Sequence, residues 1–112
     1  MAAGWVKVPR DLLEERIFQD AQLLQVWLYC QLKAAYKPMQ VMVGSRQVTL
    51  EAGQFIYGRK AVSQRLNMPE GKLRGCIRQL EACGIIQVTA TRQYSIITVL
   101  DRPNESQSNQ PI

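Results

Sequence analysis

Apolar and polar positions change period several times along this chain. Trp5–Val8 alternates apolar and polar residues and runs into Pro9, which predicts a short edge strand. Asp11 is placed to cap a helix whose first turn carries Glu14 and Glu15, acids that favour the helix dipole. Asp20 opens a longer helix to about Ala35, in which Ala21, Leu24, Leu28, Leu32 and Ala35 recur at three- and four-residue steps as a buried stripe. Leu23, Trp27, Cys30 and Ala34 form a second stripe, so this helix is expected to be covered on more than one side. Lys37-Pro38 stops it.

Val41 and Val43, then Val48 and Leu50, alternate on either side of Gly44-Ser45-Arg46-Gln47, the pattern of a hairpin. Ala52-Gly53 marks a turn before the strand Phe55–Tyr57. Gly58 then opens a short helix through Leu66, Asn67 suits a left-handed turn, and Pro69 suits the first turn of the next helix. That helix runs to about Cys83 and closes at Gly84. Ile85–Thr91 and Tyr94–Leu100 follow as strands around Arg92-Gln93, a second hairpin. One α+β domain is expected over residues 1–101, and the polar stretch 102–112, with its two prolines, reads as a disordered tail or the start of a linker.

From Gly58 onward the order is helix, short turn, longer helix, hairpin. Val62, Leu66, Met68, Leu73, Ile77, Leu80 and Ile86 make one continuous apolar set across it, with Met68 plugging the angle between the helices. Helices joined by so few residues must cross steeply, which is the helix-turn-helix arrangement, and the hairpin behind them reads as its wing. The fold expected is therefore a winged helix-turn-helix, with an N-terminal strand and an extra hairpin added.

Charge sharpens this picture. The formal net charge is +5, and residues 56–84 hold six Lys/Arg against two Asp/Glu, a net of +4. Concentration of the excess in one segment is what a phosphate-facing surface requires. At about 100° per residue, Gly71, Gly75, Arg78 and Ala82 point away from Leu73, Ile77 and Leu80, with Arg74 on one flank and Lys72 and Gln79 on the other. Two glycines inside a helix cost roughly 1 kcal/mol each relative to alanine. Close approach to a DNA backbone or base edge would offset that cost, with Arg74, Arg78 and Gln79 as donors to phosphate, guanine or adenine. An exposed helix with incidental arginines, its glycines packing on another chain, is the competing account. Arg59 and Lys60 at the start of the first paired helix add phosphate-binding charge, and Arg92-Gln93 at the hairpin tip is placed to enter a minor groove.

Composition excludes much else. There is no histidine, which removes every triad or dyad built on an imidazole base. Cys30, Cys76 and Cys83 are odd in number and lack CxxC spacing, so neither a disulfide framework nor a zinc site is expected. Acids lie scattered beside bases, as on a solvated surface, and no enzymatic activity or cofactor is expected. The longest apolar run is Val26–Cys30, far short of a membrane span, and the first residues lack the pattern of a signal peptide; a soluble cytoplasmic protein is expected.

Three stretches carry a resemblance to a known family: WVKVPRDLLE at the start, VTLEAGQFIYGRKAVSQRLNMPEGKLRGCIRQLEACGIIQV in the middle and TRQYSIITVL at the end. Over roughly Trp5 to Leu100 the chain resembles the N-terminal winged-helix domain of DnaD-type primosome proteins and phage replisome organisers. LEAGQF and YSIITV are the most specific pieces. Gly58 and Pro69 stand where such proteins usually carry serine caps. The resemblance implies a part in starting DNA replication of a phage or mobile element: binding double-stranded DNA at an origin and helping recruit a helicase loader or other primosome protein. It also implies self-association as a homodimer or higher oligomer through the N-terminal strand and helices, for which Trp5, Val6, Val8, Val26 and Tyr29 are the candidates here. Two alternatives stay open. A dimeric transcriptional regulator of this fold would bind a palindrome with half-sites about 34 Å apart or a multiple of it. A protein-interaction module that has lost DNA binding would show no salt-dependent affinity for DNA.

Overall fold

The computed structural model describes residues 4–100. The expected tail, 102–112, lies outside them. Among the described residues the chain is α+β, with one 3-10 turn, four α-helices and five strands in two antiparallel sheets.

The N-terminal stretch departs from expectation. Residues 4–9 form no strand, because no segment offers the ladder of hydrogen bonds that an alternating pattern needs. Asp11 caps nothing: it lies inside a 3-10 turn, Arg10–Glu14, which begins after Pro9 and is followed by a single helical turn, α1 (Arg16–Gln19). Leu12 and Ile17 are the anchors that turn this segment onto the core.

Helix α2 (Ala21–Lys33) starts where the sequence places it. The Asp20 carboxylate accepts from the backbone N–H groups of Gln22 and Leu23, both at 3.1 Å, so two of the unpaired first-turn donors are satisfied. The helix ends at Lys33, short of Ala35, because the chain turns there to join the sheet. Ala35 N–H donates to Gln54 O at 2.9 Å, and Gly53 N–H donates to Ala35 O at 2.8 Å. The deeply buried stripe is Leu23, Val26, Trp27 and Cys30; Leu24 and Leu28 are half-buried, while Ala21 and Leu32 are exposed. The core is thick only under the stripe of Leu23, Val26, Trp27 and Cys30, where α2 meets α4 and the sheet.

Strands β1 (Met39–Val43) and β2 (Arg46–Leu50) form the first hairpin around Gly44-Ser45, with Val41 opposite Val48. The second sheet has the order β3-β5-β4, built from β3 (Gln54–Tyr57), β4 (Ile86–Ala90) and β5 (Ser95–Val99). Its register aligns Phe55, Ile97 and Val88 in one row and Ile86 with Val99 in another, so period-two alternation delivers the apolar face to the core. Gly53 sits at the entry to β3 with φ +90, and a Cβ there would lie 3.6 Å from Val99 O. The left-handed backbone favours glycine there, while the 3.6 Å approach is an ordinary contact.

Between β3 and β4 come α3 (Arg59–Leu66) and α4 (Glu70–Ala82), joined by Asn67-Met68-Pro69. Asn67 adopts the left-handed conformation (φ 56). Its N–H reaches Gln64 O while Met68 N–H reaches Ser63 O, a Schellman closure that reverses the chain sharply. The Ser63 hydroxyl donates to Met68 O at 2.6 Å, locking the same turn. Pro69 occupies the cap position of α4, one residue before the first turn expected for it, and neither it nor Gly58 supplies a side-chain cap. Helix α4 ends in a second Schellman closure at Gly84 (φ +78), with Gly84 N–H on Glu81 O and Ile85 N–H on Leu80 O. Val62, Met68, Leu73, Ile77, Leu80 and Ile86 are all buried in one cluster with Phe55 and Ile97. Each such aliphatic side chain contributes about 1.5–3 kcal/mol by leaving water, which is what holds the two helices at their angle.

Candidate nucleic-acid interface

The burial of α4 fixes what it presents outward. Leu73, Cys76, Ile77 and Leu80 face the core, so Gly71, Lys72, Arg74, Arg78 and Gln79 are exposed and Gly75 is half-exposed. Cys76 widens the inward flank beyond the three aliphatics read from the sequence. A Cβ at Gly71 or Gly75 would meet nothing within 4 Å. Neither glycine is therefore required by packing among the described residues, and their helix-weakening cost has no internal return.

Arg59, at the start of α3, is brought onto α4's first turn. Its Nε donates to Glu70 Oε1 at 3.2 Å, an exposed ion pair that joins the N-terminal ends of the paired helices. Exposed pairs of this kind contribute little stability, about 0–1 kcal/mol. The effect of this pair is on orientation: with Nε engaged, the two Nη groups are the donors left for another partner. Lys60 is exposed beside it.

Tyr57 lies beside the candidate site and was not singled out by the sequence. It ends β3 directly before α3, half-buried. Burial raises its phenol above the ordinary value, against the pull of Arg59 and Arg74, whose positive charges favour the ionised form. Tyr57 thus marks where α3, α4 and the sheet converge. Its place at the end of a strand that precedes the basic helix pair is the signal that would have found it.

Arg92 and Gln93 are exposed at the β4–β5 tip, as expected. Thr91 builds that tip: its hydroxyl oxygen accepts from the N–H groups of Gln93 at 3.2 Å and Tyr94 at 3.0 Å, and its own N–H donates to Tyr94 O at 2.7 Å. Among the described residues no hydrogen bond or ion pair joins Arg92 or Gln93 to the α4 face. The hairpin is tied to α4 at its other end, where Val88 N–H donates to the Glu81 carboxylate at 3.3 Å.

The residues expected to serve self-association separate. Trp5 is 74% exposed and Val8 52% exposed, with Val6 half-buried, all on a stretch that forms no strand. Val26 is 0% exposed, which removes it from any outer surface: it points into this chain's own core beside Trp27. Tyr29 is half-buried, its ring edge-on to Phe55 at 5.9 Å and 81°.

Among the described residues no cluster of side chains fits a metal ion, and no helix is long and apolar enough to cross a membrane. Comparison with models of protein families, with curated proteins and with solved structures found no match to this chain.

Proposed function

We propose that this chain is a winged helix-turn-helix domain that binds double-stranded DNA, with α4 as the recognition helix and the β4–β5 hairpin as the wing. The observation that carries the proposal is the outer side of α4: Lys72, Arg74, Arg78 and Gln79 project from it around two glycines whose missing side chains leave space that no described residue fills. Missing side chains on a basic helix let its backbone approach a groove wall closely, while arginine and lysine neutralise phosphates and arginine or glutamine can read base edges. Arg59, held at Nε by Glu70, is a phosphate contact on the α3 side. Arg92 at the wing tip is a minor-groove contact. The order α2-β1-β2-β3-α3-α4-β4-β5, with β3 pairing on β5, is compatible with this fold and its extra hairpin. Assignment to replication initiation rests on the resemblance to DnaD-type domains alone.

Duplex binding followed by fluorescence anisotropy tests the site. Arg74→Ala and Arg78→Ala should each weaken binding by about 1–3 kcal/mol, with melting temperatures unchanged because both side chains are exposed. Unchanged affinity in both variants, or a loss of stability like that of Leu73→Ala, about 2–5 kcal/mol, would overturn the assignment of this face.

A further inference from the structure

A second surface, on the α2–α3 flank, owes nothing to α4. Leu28, Tyr29 and Leu32 of α2 and Leu66 of α3 line an open groove of about 310 Å³, together with the exposed cations Lys33 and Arg65. None of its lining residues comes from α4 or from the β4–β5 hairpin. Leu32, which helical periodicity assigns to a buried stripe, is 66% exposed here. The groove is firmly backed, since Tyr29 packs edge-on against the core ring of Phe55. Arg65 lies near enough to the Tyr29 hydroxyl to oppose the rise in its pKa that burial causes.

Charge says what such a groove can accept. The charged residues lining the groove are Lys33 on the α2 wall and Arg65 on the α3 wall, and neither helix carries an aspartate or glutamate. Both walls are therefore basic around an apolar floor. Leu28 and Leu32 lie four residues apart, about 6 Å along the axis, a spacing that matches anchors three or four residues apart on a docked helix. We propose that this groove docks an acidic amphipathic helix of another protein, its apolar side chains between Leu28, Leu32 and Leu66 and its carboxylates on Lys33 and Arg65. Duplex DNA would satisfy the cations but leave the apolar side chains without a partner. A second copy meeting face to face would set basic flank against basic flank. The proposal does not depend on DNA binding by α4.

The test is selection of a random peptide display library on the intact chain. Enriched peptides should carry apolar residues three or four apart flanked by Asp or Glu. Their affinity should fall roughly ten-fold or more for Leu32→Glu and for the double variant Lys33→Glu with Arg65→Glu. Since these side chains are exposed, both variants should keep the wild-type circular dichroism spectrum, and Leu32→Glu should also keep α4-mediated DNA affinity. Several outcomes would overturn the proposal: no enrichment, enriched peptides lacking acids, or peptides that bind Leu32→Glu equally well. So would a drop in sedimenting mass on Leu32→Glu, which would give the groove to a second copy. Loss of duplex binding in the groove variants, without loss of peptide, would give it to DNA.

Discussion

Gly71 and Gly75 weaken α4 as a helix, each by roughly 0.5–1 kcal/mol relative to alanine, and no neighbour occupies the space their side chains would fill. Stability and binding should therefore move in opposite directions at these positions. Gly71→Ala and Gly75→Ala should each raise stability by about 0.5–1 kcal/mol in urea titrations while weakening duplex binding. A variant that gains stability and binds as before would remove the glycines from the interface. The cysteines separate as sharply. Cys30 and Cys76 are buried and Cys83 is exposed. Burial pushes the Cys30 thiol up to about 12 from its ordinary 9.0 and raises Cys76 as well. A thiol reagent should thus modify Cys83 alone in the folded chain and all three in denaturant; rapid labelling of Cys30 in the native protein would contradict its place in the core. Because the folded state holds the Cys30 proton more tightly than the unfolded state, that contribution to stability is complete below about pH 9 and is lost as pH rises towards 12.

At the level of elements, what could be read in advance depended on how local the cause was. The Asp20 cap, the left-handed Asn67, the Gly84 closure and both hairpins are set by residues within a few positions of the feature, and each lies where the sequence puts it. Trp5–Val8 fails as a strand because pairing needs a second segment, which alternation alone does not supply. On α2, apolar periodicity marks two stripes, but only contacts with α4 and the sheet decide which is deep and which remains as an open groove; Val26 and Leu32 exchange their expected roles for that reason. The exposed face of α4 was legible because its inward stripe is unambiguous, and so was the reversal at Asn67, whereas the pairing of Arg59 with Glu70 depends on how that reversal sets α3 against α4, which helical spacing does not give. The cap gives the element-scale prediction. Asp20→Ala leaves the N–H groups of Gln22 and Leu23 unpaired and should cost about 0.5–2 kcal/mol, read as a lower urea midpoint with an unchanged m-value. No shift in midpoint would show that α2 starts without help from that carboxylate.

Taken as a whole, the molecule concentrates its positive excess in one segment. Residues 56–84 carry a net +4 of a total +5, and folding turns their apolar members inward, leaving Arg59, Lys60, Lys72, Arg74 and Arg78 in solvent. Among the described residues the first hairpin pairs only with itself, and no hydrogen bond or ion pair joins Arg92 or Gln93 at the β4–β5 tip to α4. A surface of this kind binds a polyanion largely by releasing its counterions, so affinity must depend steeply on salt. Duplex affinity measured across a series of salt concentrations is therefore the most direct check on the proposed role of α4. Four or five phosphates neutralised by these side chains give a slope of log K against log[salt] of about −4 to −5, reduced by about one unit in Arg74→Ala. A flat response, or the same slope with and without Arg74, would contradict it.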